Sequence, residues 1–260
     1  MLHLPPPELI AIAARVGFKK VGLRLLPAAP GTPHYPLMQD AHGLAETLAC
    51  VRATGVGVFD LEIIRIGPGF HPQDFLPFFE AGARLGAKAI LVAGDDPDEA
   101  RLTDAFASLC EASAPFGLSA DLEFMPWTRV PDARTALRIV TEAAQPNGGV
   151  LVDALHVARS ATSHADIAAI PPARLHYTQI CDAPSEVPPT ADGLIRAARS
   201  ERLPPGEGAL DLAGLFGLLP ADLPVSVEIP HDERTRNAGD EGWARRTLEA
   251  SRRMLARLGR

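Results

Sequence analysis

The sequence predicts a single (β/α)8 TIM barrel of the α/β class, and two regularities support that prediction. Stretches with apolar residues at helical spacing alternate with short runs rich in Val, Ile, Leu and Phe, as expected for parallel strands buried on both faces. Glycines precede these runs, and Gly55, Gly86, Gly117 and Gly148 recur 31 residues apart, where each suits a helix end. A length of 260 residues suits one barrel of about 250, so we expect one domain over residues 1–260.

Eight strands are expected in chain order. We predict them at residues 2–4, 20–25, 58–66, 88–92, 118–124, 150–153, 175–180 and 225–229. Helical faces separate them, as with Leu9, Ala13 and Val16 in the first predicted helix. An open doubly wound sheet is the competing architecture. The run at 20–25 is not followed by the glycine-rich phosphate turn that such a sheet usually carries.

Composition excludes several classes of protein. A net charge of −7 and a pI of about 5.6 argue against a basic nucleic-acid surface. No apolar run approaches the roughly 18 residues of a membrane span. Cys50, Cys110 and Cys181 have no C-x-x-C spacing, so we expect neither disulfides nor a thiolate zinc site. Three consecutive prolines from Pro5 interrupt the N-terminus where a signal peptide would be apolar, so a cytoplasmic protein without nucleic-acid or membrane partners is predicted.

Oxygen-bearing side chains stand at the ends of four successive predicted strands. Glu123 and Asp153 end two of them, Gln179 lies in the next, Glu228 ends the last, and His156 follows Asp153 by three residues. Active sites of parallel barrels lie at the C-terminal ends of the strands. Carboxylates crowded there would repel one another unless a divalent cation lay between them, and oxygen ligands favour Mg²⁺ or Mn²⁺. Glu123 or Glu228 alone is explained equally well as an ion-pair partner or helix-cap acceptor. Gln179 alone would be an ordinary polar residue, and His156 alone an ordinary surface or core histidine. The set of four strand-end residues favours a metal.

The sequence resembles, over nearly its whole length, the xylose-isomerase-like TIM barrels, the family of sugar phosphate isomerases/epimerases. The motifs that carry the resemblance are Asp121-Leu122-Glu123-Phe124, Asp153-Ala154-Leu155-His156, Gln179-Ile180-Cys181-Asp182-Ala183, Pro205-Gly206-Glu207-Gly208 and Ser226-Val227-Glu228. The resemblance implies that Glu123, Asp153, Gln179 and Glu228 bind one divalent ion. Mn²⁺ or Mg²⁺ is expected first, with Co²⁺ and Zn²⁺ as alternatives. It also implies that His156 and the Pro-Gly-Glu-Gly loop contact substrate.

The expected function is a metal-dependent sugar (phosphate) isomerase/epimerase that transfers a proton next to a metal-bound carbonyl. In that reaction Glu123 and Glu228 exchange the proton, while His156 orients the substrate. Ketose 3-epimerases of this fold usually have histidine at the position of Gln179, whereas 3-dehydroshikimate dehydratases have glutamine. A dehydratase-like lyase with His156 as base is therefore the alternative. A non-catalytic ligand-binding barrel is the third hypothesis, and it is disfavoured because all four ligand positions hold competent side chains.

Four further residues are expected to bind a small polyhydroxylated or carboxylated substrate. Arg202 precedes the Pro-Gly-Glu-Gly loop, and Glu207 lies in it. The guanidinium of Arg202 suits a bidentate contact with a phosphate or carboxylate. A solvated helix face explains Arg202 equally well. Trp127 follows the predicted strand at 118–124, and Glu62 lies in the predicted strand at 58–66. Both are expected to line the substrate pocket. The identity of the substrate depends on loop residues that follow no spacing rule, so the sequence does not predict it. Barrels of the family that this sequence resembles often form dimers, so the oligomeric state is left open.

Overall fold

The computed structural model describes residues 1 and 3–260, all of the chain except Leu2. The chain divides into two compact units. The first comprises Met1–Leu122 and Ile139–Gly148, and the second comprises Glu123–Arg138 and Gly149–Arg260.

Helices and strands alternate along the chain, as the sequence predicts. The strands are β1 (Lys20–Arg24), β2 (Gly57–Ile66), β3 (Ala89–Gly94), β4 (Ser119–Glu123), β5 (Gly148–Asp153), β6 (Thr178–Ile180) and β7 (Val225–Val227). The helices are α1 (Pro6–Val16), α2 (Ala41–Thr54), α3 (Leu76–Leu85), α4 (Glu99–Ser113), α5 (Ala133–Ala143), α6 (Ala154–Arg159), α7 (His164–Ala168), α8 (Ala191–Ser200), α9 (Leu212–Leu218) and α10 (Asp232–Arg257). Short 3-10 turns cover Pro72–Phe75, Ala114–Phe116 and Pro172–Arg174.

The predicted first strand is wrong over the residues that can be checked. Of residues 2–4, Leu2 lies outside the described part, while His3 and Leu4 belong to a turn in which the Leu4 N–H donates to the Met1 carbonyl. The seven later predictions each coincide with a strand, so the described residues contain seven strands. None of the described helices combines the length and apolarity that crossing a membrane requires.

The first unit is built on parallel pairing of β1 with β2 and of β2 with β3. Every residue of β3 is buried, as expected for a strand covered on both faces. Glycine ends α2 and α3 for the reason the sequence suggests: Gly55 and Gly86 both have φ of 73°, a left-handed conformation that residues with a Cβ rarely adopt. Gly148 differs. It begins β5, and a Cβ there would lie 3.1 Å from the Phe106 ring, a tight contact that favours glycine by packing.

The second unit has parallel pairing of β5 with β6 and of β6 with β7. The register places Asp153 beside Gln179, and Gln179 beside Ser226. One residue beyond β7, the Glu228 N–H donates to the Ile180 carbonyl at 3.3 Å. The C-terminal ends of three strands therefore bring three of the four predicted metal ligands to one edge of this unit. Its last helix, α10, is interrupted at Gly239, where φ is 69° and ψ is 162°.

Candidate functional site

The second unit gathers a buried cluster of carboxylates and one imidazole at the ends of its strands. Single ligand atoms of Glu123, Asp153 and His156 lie within 4.8 Å of one another, and all three residues are buried. The register adds Gln179 beside Asp153, and Arg202 ties Glu228 to Asp153. The structure thus brings together the four predicted metal ligands and the predicted substrate-contacting histidine.

Asp153 sets the geometry of this cluster because it is also the N-cap of α6. Its Oδ1 accepts hydrogen bonds from the backbone N–H groups of Leu155 at 2.7 Å and His156 at 3.2 Å. Capping uses one carboxylate oxygen and leaves Oδ2 for the cluster. The three-residue spacing between Asp153 and His156 follows from this cap, since the histidine then lies in the first turn of α6.

His156 is 2% exposed and lies between an acidic and an aromatic neighbour. Its Nε2 is 3.6 Å from Glu123 Oε1, and the ring of Trp127 meets it edge to face at 5.1 Å between centroids. Burial lowers the pKa of His156 to about 4; the nearby Arg202 acts in the same direction, and Asp153 opposes both. The imidazole is therefore neutral at pH 7. Its Nδ1 is buried and has no hydrogen-bond partner among the described residues.

Arg202 is the cation of the cluster, with only 3% of its surface exposed. Its Nη1 lies 2.6 Å from Asp153 Oδ2 and 3.2 Å from Glu228 Oε2, and its Nε donates to the Ala198 carbonyl at 2.7 Å. Burial alone would lower the pKa of Arg202, but Asp153 and Glu228 hold it well above its usual value. The same contacts keep the pKa of Asp153 below its usual value against the effect of burial. Arg202 is thus buried and ion-paired, not part of a solvated helix face.

The side chains of the cluster fit a divalent metal. Gln179 Oε1 is buried without a hydrogen-bond partner, an expensive state for an amide oxygen unless a cation is bound there. With every carboxylate counted as ionised, Glu123, Asp153 and Glu228 together with the guanidinium of Arg202 have a formal net charge of −2. One divalent ion would neutralise that charge. Glu123, Asp153, Gln179 and Glu228 are the residues that would hold it, and His156 is an additional nitrogen donor within the same cluster.

Asp182 organises the Pro-Gly-Glu-Gly loop, a role that sequence reasoning did not assign. Its Oδ2 accepts hydrogen bonds from the N–H groups of Gly206 at 2.9 Å and Gly208 at 3.0 Å, and its Oδ1 accepts one from Leu210 at 3.0 Å. A Cβ at Gly208 would stand 2.3 Å from Asp182 Oδ1, so only glycine allows this approach. The carboxylate at the end of β6 thus replaces the hydrogen bonds that the loop backbone cannot make to itself.

The residues just before this loop, Arg202 and Leu203, connect it to the carboxylate cluster. Asp182 and Leu203 exchange two backbone hydrogen bonds, at 2.7 and 2.8 Å, and the Arg202 N–H donates to the Pro230 carbonyl at 3.1 Å. These bonds fix the backbone of Arg202 between the segments that follow β6 and β7. A sequence signal existed in the aspartate three residues after Gln179 and the two loop glycines, but it did not reveal the hydrogen bonds.

The other predicted substrate-binding residues have different surroundings. Trp127 contacts His156, as a pocket wall should. Glu207 pairs on the surface with Arg234 at 2.6 Å and Arg246 at 2.7 Å, both from α10. Glu62 belongs to the first unit, where its carboxylate pairs with Arg24 at 2.7 Å. Substrate binding by Glu207 and Glu62 remains a prediction.

Two curated relatives share the sequence over part of its length. The 3-dehydroshikimate dehydratase of Pseudomonas aeruginosa is 31% identical over 163 residues, which cover 59% of this chain and 25% of that protein. The corresponding enzyme of Pseudomonas putida is 28% identical over 163 residues, which again cover 59% of this chain and 25% of that protein. The chain spans about a quarter of the length of the curated relatives it matches.

Solved structures share the fold. The IolI protein with a bound zinc atom has a TM-score of 0.79 at 16% identity, covering 96% of this chain and 93% of that one. The D-allulose 3-epimerase from Methylomonas sp., in complex with D-allulose, has a TM-score of 0.69 at 17% identity, covering 95% and 90%. The family model of the xylose isomerase-like TIM barrel matches residues 10–254. The chain therefore belongs to the xylose isomerase-like TIM barrel family and has its α/β barrel fold.

Proposed function

We propose that this chain is a metal-dependent enzyme that removes a proton from a carbon next to a carbonyl of a small polyhydroxylated or carboxylated substrate. The observation that carries the proposal is a buried, neutral imidazole in a cluster of carboxylates that could hold a divalent metal ion. A divalent ion there would polarise the carbonyl and stabilise the negative charge that develops on its oxygen. A base must then lie within reach of the C–H proton, and the cluster contains candidates of two kinds.

His156 is the candidate base for an elimination of the 3-dehydroshikimate dehydratase type. Its Nε2 lies 3.6 Å from Glu123, so we assign the ring proton to Nε2 and the lone pair to Nδ1. Among the described residues Nδ1 has no hydrogen-bond partner, so its lone pair is available to take a proton. The imidazolium formed would be stabilised by Glu123 and Asp153. The substrate then loses this proton and a hydroxyl group, which together make one water.

The dehydratase reaction is the first candidate because two further observations favour it. Gln179 stands where, by the family resemblance, dehydratases carry glutamine and ketose 3-epimerases carry histidine. The curated relatives are both dehydratases, although the chain spans only about a quarter of their length. The isomerase/epimerase expected from the sequence remains the second candidate. It is favoured by the presence of two glutamates, Glu123 and Glu228, in one cluster, since epimerisation needs an acid and a base.

One experiment separates the two reactions. The protein, supplied with Mn²⁺, is incubated in D₂O with 3-dehydroshikimate in one vessel and D-allulose in another. A conjugated aromatic product absorbing in the ultraviolet from the first vessel supports the dehydratase. Solvent deuterium at carbon in recovered ketose from the second supports the epimerase. If neither reaction occurs while the metal is bound, the protein does not act on these substrates, and the ligand-binding barrel becomes the better hypothesis.

A further inference from the structure

Arg159, the last residue of α6, is a partly buried cation. Its Nη2 donates to the Pro184 carbonyl at 2.5 Å, and its Nε is buried with no hydrogen-bond partner in the described part of the chain. No carboxylate among the described residues lies within ion-pairing distance of it. Arg202 is different, because Asp153 and Glu228 already occupy its guanidinium. The arginine that the sequence favoured for a substrate anion is thus paired, and another arginine is available.

The surroundings of Arg159 do not neutralise it. Burial lowers the pKa of Arg159, which means that its charge is partly removed from water. A desolvated guanidinium without an anion is unfavourable, and an anionic ligand group would relieve it.

The position of Arg159 connects it to the candidate site. His156 and Arg159 are three residues apart in α6, so they lie on one face of the helix. Pro184, which Arg159 contacts, follows β6, the strand that carries Gln179. Cys181 lies near both arginines: Arg202 Nη1 is 3.6 Å from its sulfur, and Arg159 is its other basic neighbour.

We propose that Arg159 binds an anionic group of the substrate, a carboxylate or a phosphate, while the carbonyl of the same molecule lies at the cluster of Glu123, Asp153 and Gln179. This inference rests on the proposed function, and it adds the class of substrate: the site binds anionic molecules in preference to neutral sugars. The fork of N–H donors on a guanidinium matches both carboxylate and phosphate, and Nε is one of the donors that such a contact uses.

The test compares matched pairs of ligands that differ only in the anion. Calorimetry on the Mn²⁺-loaded protein measures 3,4-dihydroxybenzoate against catechol, and D-fructose 6-phosphate against D-fructose. We expect the wild type to bind the anionic member of at least one pair about tenfold to a hundredfold more tightly, the range for hydrogen bonds to charged groups. The pair that shows the preference identifies the anion as carboxylate or phosphate.

Arg159→Gln should abolish this preference while leaving the neutral ligands unaffected. Arg159→Lys, which keeps the charge but loses the fork, should retain part of it. The control is Arg196→Gln, an exposed arginine of α8 paired with Glu201, which should leave the preference unchanged. Thermal melting of each variant shows that the fold is kept; if Arg159→Gln does not fold, Arg159→Lys serves alone.

The inference is overturned if neither pair shows a preference in the wild type, or if the preference survives Arg159→Gln. Binding is measured without turnover, so the outcome is independent of the proposed reaction. A preference that Arg159→Gln removes, in a protein that converts neither 3-dehydroshikimate nor D-allulose, would sink the proposed reaction and leave the anion site in place. If no Mn²⁺ binds, the same comparison is made on the metal-free protein.

Discussion

Arg202 Nη1 and Asp153 Oδ2 form an ion pair at 2.6 Å between side chains that are 3% and 0% exposed. The two residues are 49 positions apart, and the same guanidinium nitrogen lies 3.2 Å from Glu228. A buried arginine between two carboxylates reduces their mutual repulsion whether or not a metal is bound. This pair therefore couples the stability of the second unit to the charge balance of the candidate metal site.

Arg202→Met should destabilise the metal-free protein by about 3–5 kcal/mol, because it leaves Asp153 buried without its counter-charge. Urea unfolding in EDTA measures the loss. Added Mn²⁺ should raise the melting temperature of the variant more than that of the wild type, since the ion then neutralises the larger charge. Arg196→Gln, which removes an exposed pair with Glu201, should change stability by less than about 1 kcal/mol. Equal losses in the two variants would contradict this account of Arg202; Arg202→Lys is the substitute if the methionine variant does not fold.

The purified protein should bind about one divalent metal ion per chain through its oxygen ligands. Gln179→Leu should weaken that binding about tenfold or more, because it removes a buried oxygen that lacks any other partner. The metal-free variant should be at least as stable as the metal-free wild type, since an unsatisfied polar atom is replaced by an apolar group. Elemental analysis and Mn²⁺ titration measure the binding, and urea unfolding in EDTA measures the stability. Unchanged Mn²⁺ affinity would remove Gln179 from the ligand set.

The metal-free protein should lose stability between about pH 6.5 and pH 4. His156 has a pKa of about 4 in the folded protein, below its ordinary value of 6.5. Between these two pH values the imidazole is protonated in the unfolded chain but not in the folded protein. Stability then falls as pH falls, by up to about 3 kcal/mol at about 1.4 kcal/mol per unit. The lowered pKa of Asp153 adds a further loss only below its ordinary 3.8. Urea unfolding across this range should show a smaller slope for His156→Gln; identical slopes would refute the assignment.

His156→Gln also distinguishes the two candidate reactions. If His156 is the base, kcat for 3-dehydroshikimate should fall by about 10²–10⁴-fold, the usual contribution of a general base. If Glu123 and Glu228 transfer the proton of a ketose, the same variant should raise KM more than it lowers kcat. Steady-state kinetics on both substrates give the answer. A variant that retains kcat for the elimination within a few-fold would exclude His156 as its base.

Gly208→Ala should disrupt the loop that Asp182 holds. The added Cβ would stand 2.3 Å from Asp182 Oδ1 and 2.4 Å from the Ala183 carbonyl, so backbone must move, at about 1–3 kcal/mol. Activity should fall with it, because Arg202 precedes this loop. Gly217→Ala is the control: it lies in α9 with no atom within 4 Å of the new Cβ, and should stabilise the protein slightly. Melting temperatures that move together in the two variants would show that the loop tolerates the methyl group.

Much of the fold and part of the site follow from the sequence by local rules. Alternating helical and strand patterns place seven strands, and left-handed glycine caps mark helix ends such as Gly55 and Gly86. Because parallel strands end at one edge, the side chains at their C-terminal ends are neighbours, as the register of Asp153 and Gln179 shows. The sequence therefore predicts which side chains are neighbours in the candidate site, and their role as metal ligands stays a prediction.

Tertiary structure alone decided which charges meet and which remain unpaired. The roles of Arg202 and Asp182, and the role proposed for Arg159, depend on contacts with segments 49, 24 and 25 residues away, and no periodicity encodes such contacts. Sequence position made Arg202 a candidate for a substrate anion, yet burial between Asp153 and Glu228 turns it into the counter-charge of the carboxylates. Arg159 carried no sequence signal, and it stands out because folding partly buries it while no carboxylate among the described residues lies within ion-pairing distance. Burial and pairing are properties of the assembled unit, and they decide the chemistry of an ionisable side chain.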